Sequence, residues 1–389
     1  MNSSSDSLHQ PPRKTSLLSF VGRRTRTIIG AIVVTVLLVA IIITLSALYG
    51  TQRDKTHANS DSSHKAWELK NFKTLVVFGD SYSDEGRGLY INQHGTWPPV
   101  GWQNPVTDLS AVGGYVWPRW TAWYSGGVSA MHNYAVGGSV CSITVTPKNG
   151  MAYDIQNGQM SAFLADIRNS TIDVPADETV YAIWIGTNDL GVVGFVQDAQ
   201  GPGQTLNDYV ECVFTQFDRL YQTGARKFVL MNNIPLNRAP MYALKSNGGL
   251  PVDQYWPNKP NNLTAISYRM AEIIQSVNTA FKYQSAYEMV IGNRYKGAQM
   301  AYFDVHSLFM DMYNSPSEYF NGSQEATVTV PCLTCKDMNY NNCTLVGCMA
   351  PDAHMWYDEL HPSEQSSRMV AKEFTKLVQG DSSYATYWS

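Results

Sequence analysis

The sequence predicts an α/β protein with three layers, in which helices cover both faces of a central parallel sheet. Short apolar runs, which suit strands buried on both faces, recur along residues 71–389. Amphipathic helical patterns lie between these runs, and such alternation is typical of parallel sheets. A long apolar segment before residue 51 also predicts one transmembrane helix ahead of this domain.

The predicted strands are apolar runs that stop at a glycine or a polar residue: Thr74–Phe78, Val180–Ile185, Lys227–Met231 and Met300–Asp304. The predicted helices, with apolar residues three and four apart, are Leu206–Tyr221, residues 264–283, residues 363–378 and a face made by Trp117, Trp120 and Tyr124. Residues 86–130 and 315–357 do not show this alternation of strand and helix patterns, and we expect them to be loop insertions in one large domain.

The composition is that of a folded chain with an acidic body. Of its 389 residues, 44% are hydrophobic and 15% are charged, which is enough to build a core. The net charge of −4 includes a basic tail, residues 1–26, with five Lys or Arg and a single acid. The rest of the chain is therefore more acidic than the whole, and it would repel phosphate groups. We expect no nucleic-acid partner.

The segment Ile28–Tyr49 has no charged residue and is long enough to cross a bilayer as a helix. Its basic flank is N-terminal, so the positive-inside rule places the N-terminus in the cytoplasm. The sequence thus predicts a cytoplasmic tail (1–26), a signal-anchor helix (27–50), a polar stalk (51–70) and an extracellular or lumenal domain (71–389). The alternative is a secreted protein, with the apolar segment cleaved as a signal peptide.

All six cysteines follow the apolar segment, which predicts disulfides on the oxidising side of the membrane. The last four, Cys332, Cys335, Cys343 and Cys348, could instead form a zinc knuckle, and their pairing cannot be read from the sequence. Sequons for N-glycosylation begin at Asn169, Asn262, Asn321 and Asn342.

Two polar motifs carry a serine, an aspartate and a histidine that could act together. The stretch Gly79–Asp84 directly follows the first strand, and sites in α/β sheets form at the carboxyl ends of strands. Near the C-terminus, Asp358 and His361 are spaced for one tight turn, in which the carboxylate orients the imidazole. Taken separately, these motifs are also compatible with a helix N-cap and a surface turn.

Two further motifs supply hydrogen-bond donors. Asn188 follows the strand that ends at Ile185, and its amide can donate to an oxyanion. The glycines of Asn133–Ser139 allow close approach of backbone N–H groups to a ligand. No Gly-x-Ser-x-Gly elbow is present, so the α/β-hydrolase scaffold is not expected.

Together, these motifs resemble those of the SGNH (GDSL-type) hydrolases over most of residues 74–378. Phe78–Ser81 is similar to the first block of that family, Ala135–Gly138 to the second, Gly186–Asp189 to the third and Asp358–Pro362 to the fifth. The resemblance implies a flavodoxin-like α/β/α fold. Tyr82 departs from the leucine of the family's name motif, and we expect little effect on the chemistry.

The resemblance also implies roles for individual residues. Ser81, His361 and Asp358 would form the catalytic triad, and the oxyanion hole would comprise Ser81, Gly138 (or Gly137) and Asn188. Ester hydrolysis would pass through a covalent acyl-enzyme and would require no metal or organic cofactor. Within the family, the chain is most similar to the fungal acetylesterases of carbohydrate esterase family sixteen, which implies acetyl esters on oligosaccharides as substrates.

Trp97 and Trp102 bracket two prolines in a predicted loop, and we expect them to form a platform for a sugar ring. Three alternatives stay open: a lipid or aryl ester hydrolase, a catalytically silent glycan-binding protein on the same fold, and a zinc-dependent protein.

Overall fold

The computed structural model describes residues 67, 69, 71–148, 153–320, 322, 324–337, 342–346 and 350–389. The predicted cytoplasmic tail and signal-anchor helix lie outside these residues. So does the predicted stalk, apart from Trp67 and Leu69. Within the part of the chain that is described, no helix is both long and apolar enough to cross a membrane.

The central sheet is mostly parallel. Its strands are β1 (Thr74–Gly79), β2 (Ala130–Asn133), β3 (Thr179–Trp184), β4 (Lys227–Met231), β5 (Gln299–Phe303) and β8 (Ala385–Trp388), in the order β2-β1-β3-β4-β5-β8. Every neighbouring pair is parallel except β5 and β8. β1 and β3 are fully buried, as their continuous apolar runs predict.

The helices are α1 (Arg87–His94), α2 (Trp117–Ser125), α3 (Met160–Arg168), α4 (Thr187–Leu190), α5 (Leu206–Gln222), α6 (Leu263–Ala286), α7 (Val305–Asn314), α8 (Pro316–Tyr319) and α9 (Glu364–Val378), with π-helical turns at Ile155–Gln159 and Tyr287–Ile291. The predicted helices at 206–221, 264–283 and 363–378 are confirmed to within three residues at each end. α9 begins after Ser363, whose hydroxyl caps the backbone N–H of Ser366.

Helices cover both faces of the sheet. Phe228 of β4 contacts Phe217 of α5, with ring centroids 5.4 Å apart. Phe303 of β5 contacts Phe374 of α9 at 6.4 Å. Phe228 is paired with Met300, and residues 300 and 303 point to opposite faces because side chains alternate along a strand. The predicted three-layer α/β/α architecture is therefore confirmed.

Three regions differ from the prediction. Residues 86–130 contain α1 as well as the predicted helical face of α2, and residues 315–357 contain α8, so neither segment is only a loop. Trp67, predicted to lie in the stalk, is buried in the folded domain instead. Its indole Nε1 donates to the carbonyl of Val378 at 3.1 Å, and its ring packs against Tyr387. The apolar surface of this tryptophan outweighs the polar character of its neighbours in the sequence.

The cysteines in the described part of the chain are in disulfides, as predicted. Cys141 is bonded to Cys212, and Cys335 to Cys343 across a hairpin of β6 (Leu333–Cys335) and β7 (Cys343–Leu345). Cys332 is also disulfide-bonded. These thiols are therefore not available as the zinc ligands of the alternative interpretation.

Candidate active site

Ser81 lies in a tight turn at the carboxyl end of β1. The backbone N–H groups of Ser83 and Asp84 both donate to the carbonyl of Asp80 at 3.0 Å. The buried carboxylate of Asp80 accepts the N–H of Tyr82 at 3.0 Å. Gly79 is required before the turn, because a Cβ there would lie 2.5 Å from the carbonyl oxygen of Trp184 on β3.

Asp358 and His361 share a second tight turn. Asp358 Oδ1 accepts the backbone N–H groups of Leu360 at 2.8 Å and His361 at 2.7 Å. This geometry brings Asp358 Oδ2 to 2.9 Å from His361 Nδ1. On the other side of the ring, His361 Nε2 is 2.8 Å from Ser81 Oγ. Three residues predicted from two distant motifs thus form one hydrogen-bonded chain.

The electrostatics of the triad favour a carboxylate beside a basic imidazole. Burial alone would raise the pKa of Asp358, but the charge and N–H groups of His361 and the N–H of Leu360 lower it overall. Burial alone would lower the pKa of His361, but the Asp358 carboxylate outweighs it and raises the pKa above its ordinary value. The imidazole is thereby made a stronger proton acceptor.

The predicted oxyanion donors lie around Ser81. Gly138 has φ +76°, a conformation that favours glycine, and it lines the same cavity as Ser81 and Asn188. The N–H of Gly137 already donates to Asp84 Oδ2 at 2.8 Å, which favours Gly138 over Gly137 as the backbone donor. Among the described residues, the N–H groups of Ser81 and Gly138 have no acceptor within the protein. Both are therefore available to a ligand.

The side-chain amide of Asn188 is held in place by one of its two hydrogens. Its Nδ2 donates to the carbonyl of Ser139 at 2.9 Å. Because an amide nitrogen carries two hydrogens, the second is left for a ligand in the cavity.

Two carboxylates without a predicted role, the half-buried Asp84 and the buried Asp189, support these donors. Asp84 accepts the N–H groups of Gly137 and of Gly88 at the start of α1. Asp189 accepts the N–H of Cys141 at 3.0 Å, and burial raises its pKa to about 7. Asp84 lies in the same motif as Ser81, and Asp189 in the same motif as Asn188. This proximity in the sequence could have indicated that the two acids support the site.

Tyr255 contacts the catalytic turn but belongs to none of the sequence motifs. Its hydroxyl donates to Asp358 Oδ2 at 2.7 Å. Residues 249–262 contain no motif of a known catalytic class, so nothing in the sequence pointed to this contact.

The triad opens into a cavity of about 970 Å³. Ser81, Gly138, Asn188 and His361 line it, together with the tyrosines Tyr153, Tyr242, Tyr255 and Tyr357. Exposed apolar side chains also line it: Leu89, Leu109 and Val193. No group of three or more His, Cys, Asp or Glu suited to a metal ion occurs within the described residues.

The two tryptophans predicted to bind sugar do not line this cavity. Trp102 packs instead under the guanidinium of Arg87, 4.8 Å from the ring centroid, and against Tyr90. The cation and the aromatic neighbour account for its position, so the expected platform of Trp97 and Trp102 is not part of the cavity wall.

The sequence is similar to known ester hydrolases. The sequence family described as GDSL-like Lipase/Acylhydrolase matches residues 75–374. An acetylesterase from Hypocrea jecorina is 36% identical over 326 residues, which cover 82% of this chain and 92% of that protein. An acetylesterase from Thermothelomyces thermophilus is 25% identical over 319 residues, which cover 79% of this chain and 89% of that protein.

Among solved structures, a catalytic mutant of Axe2, an acetylxylan esterase from Geobacillus stearothermophilus, is 13% identical. The superposition covers 80% of this chain and 96% of that one with a TM-score of 0.39, which supports no further conclusion. The family match and the acetylesterase relatives carry the assignment. The chain belongs to the GDSL-like lipase/acylhydrolase family and is a serine carboxylic ester hydrolase.

Proposed function

We propose that this protein removes acetyl groups from esterified carbohydrates through a Ser81–His361–Asp358 triad. The observation that carries the proposal is the 2.8 Å contact between Ser81 Oγ and His361 Nε2 in the lining of the cavity. This is the geometry in which an imidazole takes a proton from an attacking hydroxyl. The two fungal relatives described as acetylesterases support acetyl as the acyl group.

In the proposed reaction, Ser81 Oγ attacks the ester carbonyl and His361 Nε2 takes the hydroxyl proton. The N–H groups of Ser81 and Gly138 and the amide of Asn188 stabilise the developing oxyanion. His361 then protonates the leaving alcohol, which departs and leaves an acetyl-enzyme on Ser81. A water molecule, deprotonated by His361, attacks this intermediate and releases acetate.

A sugar as the leaving alcohol is supported by the lining of the cavity. Tyr153 and Tyr357 are half-buried and line the same space as Ser81, while the hydroxyls of Tyr242 and Tyr255, which also line it, are bonded to Val192 and Asp358. Such side chains pair an apolar ring face with a hydrogen-bonding tip. They suit a pyranose, which has apolar faces and an equatorial rim of hydroxyls.

The apolar rim favours a second candidate, an ester of a lipid or aryl alcohol. Leu89, Leu109 and Val193 are 44%, 72% and 37% exposed, and all three line the cavity. Exposed apolar side chains beside a nucleophile favour an apolar substrate. The two candidates differ in the leaving group and share the triad.

A product screen separates the two candidates. The full-length protein would be incubated with acetylated xylo- and manno-oligosaccharides, and with aryl esters of acyl chains from two to twelve carbons, while released acid is measured. Carbohydrate deacetylation predicts the highest kcat/KM on the acetylated oligosaccharides. A preference for long acyl chains or for aryl acetates over every saccharide would contradict it.

Variants test the assigned roles in the same assay. Ser81→Ala should lower kcat by at least about 10⁴-fold, because the nucleophile is lost. Asn188→Ala should lower kcat by about 10²–10³-fold, the usual cost of one oxyanion donor. Ser129→Ala, an exposed serine just before β2, is the matched control and should retain wild-type turnover. Wild-type turnover by Ser81→Ala would refute the triad.

We also propose that residues 27–50 tether this domain to a membrane with its active site outside the cytoplasm. The uncharged segment Ile28–Tyr49 and its basic N-terminal flank support this topology. Asn169, Asn262 and Asn342 are exposed in the folded domain, as glycan acceptors must be, whereas Asn321 lies outside the described residues. A tethered protein should stay in the membrane pellet after alkaline carbonate extraction, whereas a secreted one would appear in the medium.

A further inference from the structure

The catalytic turn is contacted by a segment that we name the tyrosine loop, residues 253–259. The hydroxyl of Tyr255 donates to Asp358 Oδ2 at 2.7 Å and lies 3.3 Å from His361 Nδ1. The Tyr255 ring also packs edge-on against the imidazole, with centroids 5.6 Å apart. One side chain therefore touches both members of the buried carboxylate–imidazole pair.

A buried ion pair holds the tyrosine loop in shape. The side chains of Asp253 and Lys259 are both 0% exposed and bonded to each other. Lys259 Nζ also donates to the carbonyls of Met241 and Leu250, each at 2.8 Å, so all three of its hydrogens are used. Asp253 Oδ1 in turn accepts the backbone N–H of Tyr255 at 3.0 Å. The backbone of Tyr255 is thus fixed by a charge pair shielded from water.

A second set of contacts joins the tyrosine loop to the catalytic turn through Glu359. Gln254 Nε2 donates to Glu359 Oε2 at 2.9 Å, and the N–H of Cys335 donates to Oε1 at 2.7 Å. The N–H of Met241 donates to the carbonyl of Glu359 at 2.8 Å. The residue between Asp358 and Leu360 is therefore held from three directions, and Tyr255 has little freedom to leave Asp358.

We propose that Tyr255 is a positioning residue of the hydrolase, whose hydroxyl holds the Asp358 carboxylate in the orientation that receives Nδ1–H of His361. The inference rests on the proposed function and adds a fourth member to the hydrogen-bonded chain. The contacts of the carboxylate support it: Asp358 Oδ1 takes two backbone N–H groups, Oδ2 takes the Tyr255 hydroxyl, and His361 Nδ1 lies 3.0 Å from Oδ1 and 2.9 Å from Oδ2. Without the Tyr255 hydroxyl, Oδ2 keeps only the contact with Nδ1 that Oδ1 shares, and the bond that favours Oδ2 as the acceptor of Nδ1–H is fixed less firmly.

The Tyr255 hydroxyl also moderates the basicity of His361. A donor on Oδ2 stabilises the carboxylate most when the imidazole is neutral, because an imidazolium already compensates that charge. Removing the donor should therefore raise the pKa of His361. The other groups facing the ring are Asp80 and Glu359, whose charges also act to raise this pKa, and the uncharged Tyr82. None of them changes in a Tyr255 variant, so a shift can be assigned to the hydroxyl.

The test compares Tyr255→Phe with Tyr295→Phe in the full-length protein. Tyr295 is the matched control, since its buried hydroxyl donates to the carbonyl of Phe214 on α5, away from the site. One readout is the NMR titration of the His361 imidazole in histidine-labelled protein, assigned by comparison with His361→Gln. The other is the pH dependence of kcat and KM for an aryl acetate.

We expect Tyr255→Phe to lower kcat by about 10- to 100-fold, the usual weight of a hydrogen bond to a charged group, with KM within about twofold of wild type. The His361 titration and the acidic limb of kcat should both move to higher pH. Tyr295→Phe should change neither. A ring-fluorinated tyrosine at position 255 keeps the shape and is a stronger donor, so it should retain turnover and move the titration to lower pH.

Three results would overturn the inference. One is wild-type kcat and titration in Tyr255→Phe. Another is loss of activity in proportion to unfolded protein, with an unshifted titration in the folded fraction, which would indicate a structural role only. If Tyr255→Phe does not fold, an unshifted titration in the fluorinated variant contradicts the inference. Wild-type turnover by Ser81→Ala would instead refute the proposed function, while the titration still reports on Tyr255.

Discussion

Single residues around Ser81 act through the backbone groups that they hold. Asp84 occupies the N–H of Gly137, whereas the N–H of Gly138, which lines the cavity, has no acceptor among the described residues. Ser139 similarly occupies one hydrogen of the Asn188 amide. These contacts use some of the hydrogen-bond donors around Ser81. The donors that are not used are the ones that would bind the ester oxygen in the proposed reaction.

The pKa of His361 sets the expected pH dependence of the enzyme. Attack requires a neutral imidazole, and Asp358 raises the pKa of His361 above its ordinary value of about 6.5. Activity should therefore fall as the pH drops through a value above about 6.5. Measuring kcat/KM against pH on a neutral ester reports this pKa for the free enzyme. An acidic limb centred well below pH 6.5 would contradict the assignment of His361 as the base.

At the scale of elements, parallel strands bring the motifs together. β1 and β3 are neighbours in register from Thr74 and Thr179, so their carboxyl ends, followed by Ser81 and Asn188, lie at the same edge. The glycine motif Asn133–Ser139 begins at the end of β2, which lies on the other side of β1. This arrangement is the general reason why sites in open α/β sheets form beyond the carboxyl ends of strands.

The tyrosine loop depends on its buried ion pair. Lys259→Met removes the cation and leaves the Asp253 carboxylate buried without its partner. Such a change typically lowers the free energy of unfolding by about 3–5 kcal/mol. Chemical denaturation of the variant measures the loss.

Lys376→Met is the control, since Lys376 is 54% exposed where it pairs with Glu373. It should change the free energy of unfolding by less than about 1 kcal/mol. Equal stability of the two variants would show that the loop does not depend on the Asp253–Lys259 pair.

At the scale of the whole molecule, long-range links hold the site together. Ser81 and His361 are 280 residues apart in the chain, and the Tyr82 hydroxyl joins their two turns by donating to the carbonyl of Leu360 at 3.0 Å. The disulfide between Cys141 and Cys212 joins the segment after the glycine motif to α5 across 71 residues. The backbone of Cys141 also contacts Asp189, beside Asn188.

Replacing both Cys141 and Cys212 with serine should lower the free energy of unfolding by about 2–4 kcal/mol, because the unfolded chain regains the freedom of a long loop. Denaturation under non-reducing conditions measures this loss. The same double replacement at Cys335 and Cys343, whose loop spans 8 residues, should cost less on the same argument. An equal or larger cost for the short loop would contradict a chain-entropy origin.

Local patterns in the sequence were sufficient to predict most of the long helices and of the buried strands. The buried strands β1, β3, β4 and β5 are continuous apolar runs, and α5, α6 and α9 have clear helical periodicity. β2 was missed because its residues, Ala130–Asn133, are mostly half-buried at the sheet edge and form no apolar run. β8 was missed as a short antiparallel strand after the last helix.

The sequence by itself predicted the fold class and the three residues of the proposed triad, since each of these residues lies in a short motif whose chemistry depends on near neighbours. Tertiary structure alone decided that Gly138 has a free N–H, that Trp102 packs on Arg87 and that Tyr255 reaches Asp358. The physical reason is that these three properties depend on contacts between residues far apart in the chain. Burial and hydrogen bonding across such distances leave no periodic pattern in the sequence.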